Sequence, residues 1–130
     1  MTAMAEVKLG IQVSENRTSV SIEIAPVGQS SSPVELDLDQ LSTLIRLLGQ
    51  TRCHMVNGRP VPPLEGRTIE TVYAPRWYIQ VAKIDGSLLA FDHPAFGAVG
   101  FVISRAEVAE IVQVLSEHLK LPPDRPSVRN

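Results

Sequence analysis

Val34-Glu35-Leu36-Asp37-Leu38-Asp39-Gln40-Leu41-Ser42-Thr43-Leu44-Ile45-Arg46-Leu47-Leu48, residues 34–48, has a counterpart 67 positions further on. Residues 101–115 read Phe101-Val102-Ile103-Ser104-Arg105-Ala106-Glu107-Val108-Ala109-Glu110-Ile111-Val112-Gln113-Val114-Leu115. Few letters agree, but the pattern does. Val34 and Leu36 fall on Phe101 and Ile103, and Leu41, Leu44, Ile45 and Leu48 fall on Val108, Ile111, Val112 and Leu115. Asp37 with Gln40, and Ser104 with Glu107, have the spacing of a capping box, in which a short polar side chain takes the third amide and the third side chain reaches back. Each segment therefore predicts a short strand running into a capped amphipathic helix. A pseudo-repeat of this kind is a statement about architecture.

Working outward, Val7, Leu9, Ile11 and Val13 alternate with Lys8, Gly10 and Gln12. Val20, Ile22 and Ile24 alternate with Ser21 and Glu23 beyond a polar turn at residues 15–18. Period-two alternation marks strands with one face on a core, and the two runs make a hairpin. Pro26 to Pro33 reads as a loop, and Gly49 marks the expected end of the first helix. Asn57-Gly58, Pro60, Pro62 and Pro63 make residues 51–66 an irregular link.

In the second half Thr68 to Tyr73 reads as a strand broken by Pro75, followed by the alternating run Trp77, Ile79, Val81. Asp85-Gly86 is a strong hairpin signal leading into a strand near Leu88 to His93. Val99, Phe101 and Ile103 form the last strand, and Pro122 and Pro123 stop the second helix.

The expected fold is α+β: antiparallel sheets with two helices, built as a pseudo-duplicated strand-strand-strand-helix unit. Two repeats of about 65 residues share one core, because a unit of that size is marginal alone. The boundaries are a flexible 1–6, a first repeat 7–50, the link 51–66, a second repeat 67–120 and a disordered tail 121–130, all within a single domain. A parallel nucleotide-binding sheet is disfavoured, since no βαβ alternation or glycine-rich phosphate loop is present.

Composition narrows the function classes. The net charge is −2, and the halves hold 5 basic against 7 acidic residues through Glu65 and 7 against 7 from Gly66 onward. Affinity dominated by phosphate neutralisation needs clustered Lys and Arg, so nucleic acid is a possible partner that the charge does not support. Cys53 is the single cysteine, which rules out an intrachain disulfide or a Cys-x-x-Cys pair. The start of the chain has no basic patch leading into an apolar run, and no apolar stretch reaches the roughly 18 residues of a membrane helix. A cytoplasmic protein without membrane contact, metal or cofactor is expected.

His54 beside Cys53 lacks ligand or dyad spacing, His93 follows Asp92 where neighbouring strand side chains point oppositely, and His118 suits a helix end. Asp37 and Asp39 are explained by capping, and Glu107, Glu110 and Glu117 by the solvent side of a helix. No carboxylate pair or nucleophile elbow is visible, which leans against an enzyme.

The richest stretch runs from Arg52 to Lys83, with five basic side chains and Tyr73, Trp77 and Tyr78 among its residues. Arginine with flat rings suits stacking on bases or gripping an acidic planar ligand, so Arg67, Tyr73, Arg76, Trp77 and Tyr78 are the candidate binding residues. The competing reading places Trp77 in the core, alternating with Ile79 and Val81, and leaves Tyr78 outside.

Paired units of several antiparallel strands followed by a helix are similar in topology to the single-strand-binding Whirly and Pur-alpha groups. That likeness implies a nucleic-acid-binding role and rests on strand order, with no sequence motif. Two other readings stand beside it. One is a non-enzymatic binding or assembly module, partnered by a second copy of itself or by another protein. The other is a small-molecule binder or enzyme with a pocket between the repeats, using His93 or His54.

Overall fold

A computed structural model describes residues 6–123, so the ends read above as flexible lie largely outside the described residues. The chain divides into two units, Met1–Gly66 and Arg67–Asn130. In the first, β1 (Val7–Val13), β2 (Ser19–Pro26) and β3 (Val34–Asp37) precede α1 (Leu38–Val56). In the second, β4 (Trp77–Val81), β5 (Ser87–His93) and β6 (Gly97–Ile103) precede α2 (Arg105–Leu119). Both sheets are antiparallel meanders, ordered β1-β2-β3 and β4-β5-β6. The α+β class and the duplicated strand-strand-strand-helix order are as the sequence implies.

Register shows why the alternation matters. Leu9 pairs with Ile24, Ile11 with Ile22, and Val13 with Val20, which in turn pairs with Leu36. Successive strand residues point to opposite faces, so every apolar residue of the alternating runs in β1 and β2 lies on one face with Val34 and Leu36. Lys8 and Glu23 join across the other face at 3.0 Å. The second sheet repeats the scheme, with Trp77 opposite Phe91 opposite Val99, and Ile79 opposite Leu89 opposite Phe101.

Both helices start where the punctuation places them. Asp37 Oδ1 accepts from the Gln40 amide at 2.8 Å, and Gln40 Oε1 accepts from the Asp37 amide at 3.0 Å, a complete capping box. Ser104 Oγ accepts from the Glu107 amide at 3.3 Å, but Glu107 turns its carboxylate to the Ser104 hydroxyl, 3.2 Å away, rather than to the cap amide. Asp85 adds a second anchor, meeting the Arg105 amide at 3.4 Å and its guanidinium at 3.7 Å.

Two elements differ from the sequence reading. The first helix does not end at Gly49 but continues to Val56, with Asn57 as its C-cap. A single helical glycine costs only about 1 kcal/mol, and no proline follows until Pro60, so nothing stops the helix at Gly49. Thr71 and its neighbours from Thr68 to Tyr73 form no strand. Ala74 takes a left-handed φ of 50° just before Pro75, and the polypeptide enters the sheet only at Trp77.

Candidate functional site

The apolar layer of the first unit is the most developed surface. α1 makes its closest element contacts with β3 and β2. Leu36 of β3 and Leu41, Leu44 and Ile45 of α1 are half-buried, and Val20 is only 6% exposed. One helix is about as wide as two strands, so a three-stranded sheet keeps one strand uncovered. Here that strand is β1. A groove of about 570 Å³ opens there, walled by Leu9, Ile11 and Val13 on one side and Leu41, Ile45 and Leu48 on the other. A smaller groove of about 450 Å³ lies on the β3 side, lined by Val34 and Leu47 together with Ser31 and Ser32.

The second unit is more open. Beyond Val108, which is half-buried, the α2 stripe of Ile111, Val112, Leu115 and Leu119 is exposed. Trp77 stands on the apolar face in line with Ile79 and Val81, as its spacing requires, yet is 68% exposed. The expectation that it is a buried core residue is therefore corrected: the sheet face it belongs to is not covered within its own unit.

The exposed area gives the scale. The chain exposes 12325 Å², whereas two separate compact units of half its mass would together expose roughly 8,200 Å². Val20 and Ala25 are the only buried hydrophobic residues among those described. Contiguous apolar patches larger than a few hundred Å² are found at interaction sites, ligand-binding grooves and aggregation-prone faces.

Of the five residues singled out from sequence, three lie in the segment before β4 and two on β4 itself. Arg67 lies in the coil before β4, Tyr73 in the same coil at 95% exposure, and Arg76 immediately before β4. Arg76 reaches Asp92 at 3.5 Å, and its carbonyl accepts from the Asp92 amide. Tyr78 projects from the face opposite Trp77 and donates its hydroxyl to Gln80 at 2.8 Å. Trp77 and Tyr78 thus cannot stack on one ligand face together.

His93 is used locally. Its Nδ1 accepts from the Ala95 amide at 3.0 Å, and its ring lies 4.6 Å from that of Phe96, bracing the β5–β6 turn. Cys53 is exposed near the end of α1, and His54 lies in its last turn. Among the described residues no group of three or more His, Cys, Asp or Glu side chains is arranged to hold a metal, and no helix is long and apolar enough to cross a membrane.

Sequence reasoning did not identify which strands lie at the edges of the two sheets. Their signal is the combination of strand order with ladder parity, which no single alternating run displays. Comparison with protein-family models, curated proteins and solved structures finds no match for this chain.

Proposed function

We propose that the protein is a small non-enzymatic binding and assembly module that works first of all by associating with itself. The observation that carries this reading is the uncovered β1 side of the first unit, where Leu9, Ile11 and Val13 are all exposed beside a groove lined by the α1 stripe. Apolar burial contributes roughly 25 cal/mol per Å², so surfaces of this kind drive association. A standard stable interface removes about 800 Å² from each partner.

The test is molecular mass in solution by sedimentation velocity and light scattering over a wide dilution series. The expected result is a discrete oligomer, a dimer in its simplest form, that dissociates on dilution. A mass of one chain at every concentration, including the highest reachable, sinks the self-association reading.

A further inference from the structure

The edge strand β1 has an unusual property: its sequence Val7-Lys8-Leu9-Gly10-Ile11-Gln12-Val13 reads nearly the same in both directions about Gly10. Val7 mirrors Val13, Leu9 mirrors Ile11, and Lys8 mirrors Gln12. A two-fold axis at Gly10 sets each residue of the strand opposite its mirror position in the second copy, so here the near-palindrome places apolar residues opposite apolar ones and Lys8 opposite Gln12.

Backbone parity agrees with it. The Ser14 amide donates to Ser19 O and the Val27 amide to Glu6 O, each at 3.0 Å, which fixes the even-numbered residues of β1 as the ones bonded to β2. Directly opposed pairs alternate between bonded and non-bonded in an antiparallel ladder. The N–H and C=O groups of Val7, Leu9, Ile11 and Val13 therefore point to the open edge. No proline or bulge interrupts this row, and Ile11 is 71% exposed. Such an edge is a template for another strand.

We propose that β1 pairs antiparallel with β1 of a second copy, with the two-fold axis at Gly10, joining the two three-stranded sheets into one of six strands. This inference rests on the self-association reading and specifies its surface. In this register Leu9 bonds Ile11 of the second copy and Val7 bonds Val13, so the apolar face continues across the joint. Lys8 stands opposite Gln12 and never opposite another Lys8, so no like charges face each other. The groove beside α1 and its symmetry mate then flank the joint, adding the apolar area that a pair of edges alone lacks.

Gly10 supplies the probe. A Cβ there meets nothing nearer than the Glu23 Cβ at 3.8 Å, an ordinary contact, so a side chain is accommodated. Across the axis the two Gly10 positions form a non-bonded pair with Cα atoms about 4.5 Å apart, within disulfide range. In a Cys53→Ser background, Gly10→Cys is expected to give a covalent dimer as the main product under mild oxidation. Lys8→Cys alone is expected to stay uncrosslinked, and an equal mixture of Lys8→Cys and Gln12→Cys chains to crosslink. On the unaltered chain, hydrogen exchange of the Leu9, Ile11 and Val13 amides is expected to slow at least tenfold between dilute and concentrated solution. A dimer in which those amides exchange fast and Gly10→Cys stays uncrosslinked overturns the edge pairing while leaving self-association standing. A chain that is monomeric throughout overturns both.

Discussion

Gly86 faces the carbonyl group of Ile103 so closely that a Cβ on Gly86 would overlap the Ile103 oxygen. Its φ of 120° lies in the left-handed half of the map, so backbone conformation and close approach demand glycine together. The contact joins the β4–β5 hairpin to the end of β6, just where Asp85 holds the Arg105 amide at the start of α2. Gly86→Ala is therefore expected to lower the unfolding free energy by roughly 1–3 kcal/mol, the range for backbone strain at one residue. Urea unfolding followed by far-ultraviolet circular dichroism measures it, and a change below about 0.5 kcal/mol would show that the hairpin yields easily.

The two helix starts make a matched pair for comparison. Asp37 engages both partners of its capping box, whereas Ser104 accepts one amide and shares its hydroxyl with Glu107. Asp37→Ala is expected to cost about 1 kcal/mol, within the range for lost caps. Gln40→Ala is expected to add a separate cost at α1, because the Asp37 amide loses its acceptor. Glu107→Ala should cost less than Gln40→Ala, since no cap amide depends on it. Equal losses for Gln40→Ala and Glu107→Ala would mean that the reciprocal arm of the box contributes nothing.

The Arg76 and Asp92 side chains form an ion pair at 3.5 Å, with the arginine almost wholly in water. Solvent screening and side-chain entropy hold such pairs to about 0–1 kcal/mol. Arg76→Ala is expected to shift stability by less than that, and raising salt from 50 to 500 mM should leave the remaining difference negligible. The backbone bond from the Asp92 amide to Arg76 O survives the substitution. A loss well above 1 kcal/mol would assign the Arg76 side chain a packing role that its exposure does not indicate.

Much of the fold was legible because its signals are local. Strand alternation, the Asp85-Gly86 turn and the Asp37 and Ser104 caps each act over a few residues, and the shift of 67 positions reinforced them. The fourth strand expected at Thr68 to Tyr73 failed for a different reason. Its letters suit a strand, but the backbone at Ala74 and Pro75 turns the polypeptide before any ladder partner is reached. The candidate residues Trp77 and Tyr78 illustrate the limit for function. Adjacent in sequence, they were grouped by chemistry, while the pleat of β4 sends them to opposite faces. The palindrome of β1 was present in the letters too, but it acquired meaning only once β1 was placed at an edge with known ladder parity.

Gly49 shows the same limit within a helix and yields the most direct gain in stability. Glycine commonly follows a helix because it tolerates left-handed backbone, and that rule placed the helix end there. In the fold Gly49 is an interior residue of α1, is not among the glycines with positive φ, and has open space where a Cβ would stand. None of the reasons that require glycine applies, and only its entropic cost remains. Gly49→Ala is expected to raise the unfolding free energy by roughly 0.5–1 kcal/mol and to increase the helical signal near 222 nm under conditions where α1 frays. The substitution lies away from β1, so dimer mass and Gly10 crosslinking should be unchanged. A destabilised chain would show that α1 is broken near Gly49 in solution, with the segment from Gln50 to Val56 no longer continuous with it.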